Sequence, residues 1–194
     1  MTEAMEASEW LLRCFVVSLV FFHSSEFFLA LYYHRAAGAR SLLITGPYLV
    51  ALTFGLVEHT LESLYLPNCK TQSIVTNTGL GLVIVGELIR KLAILTAKQN
   101  FTHEITEDYS EDHHLVTHGI YRYVRHPSYL GFFLFAVGTQ VLLCNPIATV
   151  GYIIVLWRFF RDRIEYEEYF LVEFFGEKYE EYQKKVPSGI PFVK

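Results

Sequence analysis

The chain has 194 residues, of which 52% are hydrophobic and 16% aromatic, and its mean hydropathy is +0.28. That is too apolar for an ordinary soluble domain and indicates an integral membrane protein built from helices. A net charge of −4, with no dense basic segment to track phosphates, excludes a nucleic-acid partner. Cys14, Cys69 and Cys144 are scattered and unpaired in spacing, which excludes a disulfide framework and a zinc knuckle.

The first apolar run, near residues 10–33, follows an acidic leader carrying Glu3, Glu6 and Glu9. Ala36, Ala37, Gly38 and Ala39 after it imitate a cleavage site. The acidic leader and the length of the run nevertheless favour a retained span over a signal peptide. Further spans are predicted near 42–66 and 74–97. Within and beside these runs stand Glu26, Glu58, His59, Glu62 and Glu87, costly in lipid and therefore expected to face a polar interior as packing glue. Glu58 with Glu62, and Glu87 with Lys91, share a helix face at i,i+4 spacing. Gly79, Gly81 and Gly86 lie inside an apolar span, where close helix packing is the natural reading and a nucleotide loop is not.

Residues 98–118 are polar and include His103, His113, His114 and His118. No pair has the spacing with a neighbouring Glu that a helical zinc site shows, so the histidines are expected to bond to ligand or backbone and no metal is expected. From Ser128 to Trp157 the chain runs 30 residues without Lys, Arg, Asp, Glu or His, interrupted by Asn145-Pro146. This reads as a membrane hairpin, with helices near 128–143 and 147–162 turning at Asn-Pro. Sixteen residues rise roughly 24 Å, a little less than the roughly 30 Å apolar thickness of a bilayer. The hairpin returns Arg163, Glu167 and Glu168 to the membrane face that Arg125, His126, Pro127, Ser128 and Tyr129 occupy. Beyond it, the mixed aromatic and charged stretch 163–185 is expected to form an interfacial helix closed by Pro187 and Pro191.

Five spans put the termini on opposite sides. Placing the N-terminus outside leaves Arg13 and Lys70 as the outer basic residues and puts the others on or near the cytosolic side, as positive charge favours. No repeat, low-complexity tract or separate soluble domain interrupts residues 1–194, and one membrane domain is the expected count.

His113-His114-Leu115-Val116-Thr117-His118-Gly119-Ile120-Tyr121, Arg125-His126-Pro127-Ser128-Tyr129, Cys144-Asn145-Pro146, Arg163 with Glu167-Glu168, and Val186-Pro187-Ser188-Gly189-Ile190-Pro191-Phe192 resemble the protein-S-isoprenylcysteine O-methyltransferase family. The likeness is continuous from about residue 86 to 193, and Phe22-His23-Ser24-Ser25-Glu26 looks like the eukaryotic members. The chain is most similar to forms without extra N-terminal helices.

The resemblance implies methyl transfer from S-adenosylmethionine to the C-terminal carboxylate of prenylated CaaX proteins after proteolytic trimming, at the endoplasmic reticulum membrane with a cytosolic catalytic face. It assigns cofactor contacts to His113, His114, Leu115, Val116, Tyr121, His126, Pro127, Ser128, Tyr129 and Glu167, and substrate binding and catalysis to Arg163. Thr106 stands where relatives can carry Gln, and its shorter side chain departs from that contact. Two other readings of the residues stay open: a methyltransferase for another lipid or isoprenoid, and a scaffold whose charged motifs only anchor helices.

Overall fold

The computed structural model describes residues 2–34, 38–109 and 114–194. Among them secondary structure is entirely helical: α1 Thr2–His34, α2 Gly46–Tyr65, α3 Ser73–Ala97, α4 Pro127–Leu142, α5 Pro146–Phe175 and α6 Glu177–Lys185, joined by short 3-10 turns. Each of the five predicted spans falls on a helix. By length and composition alone, Glu3–Tyr33 is the one described stretch able to cross a bilayer, while α4 is apolar but short. Large apolar side chains face outward on α1 (Val17, Phe21, Phe28), α2 (Val50, Phe54, Leu64), α3 (Leu88, Leu92) and α5 (Ile154, Val155). A surface of this kind suits lipid and not water.

One expectation fails at the C-terminal end. No separate interfacial helix begins at Arg163; α5 continues unbroken for 30 residues to Phe175, roughly 45 Å of helix. The change from apolar to charged side chains at Arg158 does not end the helix. The break comes at Gly176, whose φ of 54° is the left-handed conformation glycine tolerates, and α6 follows as a separate nine-residue helix.

α3 and α4 pack antiparallel at backbone distance. A Cβ on Gly79 would stand 2.1 Å from Leu142 N, one on Gly86 2.5 Å from Phe135 N, and one on Gly138 2.8 Å from Val83 N. The glycines of both helices recur at seven-residue spacing, so the smooth faces meet along two turns. Gly81 departs from the expected role, since it faces open space. Above this seam, Phe22, Val83, Phe135 and Ala136 form one apolar cluster, and Leu11, Phe15, Leu142 and Leu143 form another.

At the Asn145-Pro146 turn the interior charges are matched to helix ends. Lys70, read above as an outer-loop cation, is buried: its Nζ donates to the carbonyls of Leu143 (2.8 Å) and Cys144 (3.1 Å) at the end of α4, and pairs with Glu62 at 2.6 Å. The Glu58 carboxylate accepts from the Ile147 and Ala148 N–H groups at 2.7 and 2.6 Å. A cation at the C-terminal end of α4 and an anion at the N-terminal end of α5 both oppose the helix dipole and fill groups that have no partner in their own helix.

Candidate active site

Pro127 opens α4 at a position where a proline costs nothing, because the first-turn N–H has no intrahelical partner. The two residues before it are held by the end of the chain. Arg125 N–H donates to Pro187 O (2.9 Å) and His126 N–H to Ser188 O (3.0 Å). The strap needs Gly189, whose φ is 102° and whose Cβ would lie 2.3 Å from Val124 Cγ1. Ile190 then buries itself against Phe160 and Ile164 of α5.

Glu167 and Glu168 are consecutive on α5 and therefore project about 100° apart. Glu168 turns inward. Its Oε1 accepts from Arg125 Nε (2.8 Å), His126 Nε2 (2.9 Å) and the Tyr179 hydroxyl (3.0 Å), and its Oε2 from Gln183 Nε2 (2.7 Å). Burial alone would raise its pKa, but the hydrogen bonds from His126 and Arg125 outweigh it and hold the carboxyl at about 2. Because the folded value lies below the unfolded one, the stabilisation is complete above the ordinary carboxylate range and is lost as pH falls towards about 2. A Glu168→Gln variant is accordingly expected to melt below the wild type at neutral pH, with the gap closing on acidification. Thermal denaturation in detergent across pH 7 to 3 measures this; a constant gap would contradict it.

Glu167 turns the other way and is partly exposed. The Tyr129 hydroxyl donates to its Oε2 (2.5 Å) and accepts from Arg163 Nε (2.8 Å), so a phenol joins the two α5 residues in place of a direct ion pair. Arg163 Nη2 donates to His103 O (2.7 Å), and its guanidinium carbon lies 5.5 Å from the Tyr129 ring centre and 6.0 Å from that of Phe159. The His126 and Tyr129 rings are parallel, 5.4 Å between centres. Thus Arg163, Glu167, His126 and Tyr129, distant in sequence, share one corner.

The other positions of interest line up less tightly. Pro127 and Ser128 are buried in the first turn of α4. Tyr121 is half-buried, and burial and then the nearby Glu167 carboxylate push its phenol above the ordinary value. Leu115 and Val116 are half-buried, and the exposed His114 is held through its backbone N–H on Asn100 Oδ1 at 3.1 Å. Thr106 makes a 3.5 Å contact with the Thr102 hydroxyl. His113 lies outside the described residues.

Two of the histidines are engaged in side-chain bonds to carboxylates. His103 Nε2 lies 2.8 Å from Glu26 Oε2 and His126 is on Glu168, and among the described residues no group of three potential ligands could hold a metal. Sequence reasoning missed the inward role of Glu168 and its partners Arg125, Tyr179 and Gln183. The adjacency of two glutamates on one helix is the signal that could have found it.

Residues 79–173 match the profile of the isoprenylcysteine carboxyl methyltransferase (ICMT) family. Over 193 residues the chain is 51% identical to a probable protein-S-isoprenylcysteine O-methyltransferase of Oryza sativa subsp. japonica, covering 98% of this chain and 100% of that one. It is 52% identical over 180 residues to protein-S-isoprenylcysteine O-methyltransferase A of Arabidopsis thaliana, covering 92% and 91% respectively. The solved structure of the eukaryotic intramembrane Ras methyltransferase ICMT aligns with a TM-score of 0.94 at 38% identity, over 96% of this chain and 68% of that one.

Proposed function

The chain belongs to the isoprenylcysteine carboxyl methyltransferase family, and from that membership and the geometry at Arg163 we propose that it methylates the C-terminal carboxylate of S-prenylated cysteine, with S-adenosylmethionine as donor. The observation that carries the substrate assignment is Arg163: a partly exposed guanidinium, oriented at both ends by Tyr129 and His103, beside the half-exposed apolar ring of Phe159. A carboxylate meets paired donors there, and a prenyl chain meets apolar side chains that adjoin lipid. An amine headgroup would be repelled.

The donor set around Glu167 fits a sulfonium cofactor. The partly exposed Glu167 carboxylate, flanked by Tyr129 and His126, offers negative charge to a cation. We assign contacts to His113, His114, Leu115, Val116, Tyr121, His126, Pro127, Ser128, Tyr129 and Glu167, and a marginal one to Thr106. S-adenosylmethionine supplies an electrophilic methyl group when bound.

The prenylcysteine carboxylate is already ionised near neutral pH, so no residue has to act as general base. Arg163 instead holds one carboxylate oxygen by charge-assisted hydrogen bonds so that the other is aimed at the methyl carbon. Tyr129, by bonding to both Arg163 and Glu167, fixes the distance between the substrate corner and the cofactor corner. The ester product keeps no negative charge for Arg163 to hold and is released. We assign this corner to the cytosolic face of the endoplasmic reticulum membrane; a five-span arrangement with most basic residues on that side supports the reading. Trimmed CaaX proteins arrive laterally, because each buried prenyl CH₂ favours lipid by about 0.8 kcal/mol.

The test is transfer of labelled methyl from S-adenosylmethionine to N-acetyl-S-farnesylcysteine by membranes carrying the chain. A base-labile methyl ester is expected. Saturable cofactor binding without ester would discard the prenylcysteine substrate, and absence of cofactor binding would favour a scaffold.

A further inference from the structure

Glu26 is fully buried on α1, and all of its acceptor capacity is filled by protein. Oε1 accepts from Arg90 Nε (2.9 Å) and Lys91 Nζ (2.6 Å), and Oε2 from Arg90 Nη2 (2.8 Å) and His103 Nε2 (2.8 Å). Four bonds on two oxygens saturate a carboxylate. Three of the donors sit on α3, whereas His103 belongs to the polar segment that follows it. Two of these partners lead straight to the reacting corner. The backbone carbonyl of His103 is the acceptor for Arg163 Nη2, and Arg90 Nη1 donates to Ser128 O at 3.0 Å in the first turn of α4.

We propose that Glu26 and His103 form a latch that positions Arg163 for the substrate carboxylate, an inference that rests on the function proposed above. Arg163 has two hydrogen bonds within the described residues. The one from Nε to Tyr129 acts as a pivot, and the one from Nη2 to His103 O stops rotation about it. The carbonyl can serve as a stop only while the segment itself is anchored. Its side-chain anchor to the helices at this residue is the His103–Glu26 bond, buried at the Glu26 end where competing water is scarce. His103 is thus a positioning residue, acting on the substrate through Arg163. Arg90 anchors the Ser128 side of the same corner.

The predicted signature is a split between the two substrates. In purified full-length protein, His103→Ala should lower kcat/KM for N-acetyl-S-farnesylcysteine by roughly ten- to a hundredfold, as expected when an orienting group is displaced, with cofactor Kd changed by less than about twofold. His103→Gln, which keeps an N–H donor, should recover most of the loss. In an Arg163→Lys background, where the ammonium cannot reproduce both guanidinium bonds, His103→Ala should cost less than about twofold more, because coupled residues are not additive.

Hydrogen exchange over residues 101–109 should rise in His103→Ala without requiring turnover. Unchanged kcat/KM, additive losses, equal loss of substrate and cofactor affinity, or unaltered exchange would each overturn the latch. If the wild type itself makes no ester while exchange rises as described, the anchoring bond stands and the assignment of the reaction falls.

Discussion

Replacing Arg163 by alanine is expected to lower kcat/KM for N-acetyl-S-farnesylcysteine by on the order of a hundred- to a thousandfold, the range seen when one preorganised charge-stabilising donor is removed. Cofactor affinity should change by less than about threefold. The asymmetry follows from the geometry. Arg163 touches Tyr129, Phe159 and the His103 carbonyl, whereas the residues assigned to the cofactor retain Tyr129 on Glu167 without it. Its position also keeps the fold out of the result, since Arg163 is half-exposed and its loss strands no buried charge. The Arg125–Glu168 pair would behave differently, because removal of either partner leaves the other buried. A second arm tests the carboxylate directly. The methyl ester product should bind wild type and Arg163→Ala with similar affinity, because it offers no charge to lose. Equal loss of substrate, ester and cofactor binding in folded protein would contradict the role of Arg163.

The convergence of the Arg-His-Pro segment with Arg163 was legible because one local signal, Asn145-Pro146 between two uncharged runs, determines where the chain turns. The helices were legible for a similar reason, since hydropathy is a sum over neighbours. Partners far apart in sequence were not. Glu26 is visible as a costly carboxylate in an apolar run, yet nothing local distinguishes Arg90 and Lys91 as its counterions, or connects it to His103, 77 positions away. The burial of Lys70 was illegible for a related reason. The rule that counts cations by side treats a lone outer lysine as a loop residue, and it is blind to the unpaired carbonyls of Leu143 and Cys144 that bury it. Along α5 the difference had another source: charge was taken as the start of a separate helix, while α5 itself stops only at Gly176, whose φ is 54°. For Glu167 and Glu168 the sequence shows the pair but not its rotation about the helix axis. Packing of Tyr179 and Gln183 from α6 decides which carboxylate faces inward.

Gly86→Leu is expected to prevent accumulation of folded protein, while Gly81→Leu, five residues earlier on the same helix, is tolerated. Both substitutions add the same side chain to α3 and have the same effect on local hydropathy, so propensity alone predicts no difference between them. Their surroundings differ. At Gly86 a Cβ meets Phe135 N at 2.5 Å and Gly131 O at 2.6 Å, whereas at Gly81 it meets nothing within 4 Å. Because the obstructing atoms at Gly86 are backbone, no rotamer change relieves them, and α3 must move away from α4. The cost should exceed the roughly 1–3 kcal/mol of an ordinary overpacked core. Separation would also carry Arg90 away from Ser128 O, and with it the link between Glu26 and the start of α4. Yield of monodisperse protein from detergent and the melting temperature of what is recovered provide the measurement. The close contact would be refuted if Gly86→Leu melted within a few degrees of Gly81→Leu. If it holds, the glycine seam is what sets the distance between the helix that carries Arg90 and the helix that carries Tyr129, and hence the spacing of the proposed catalytic corner itself.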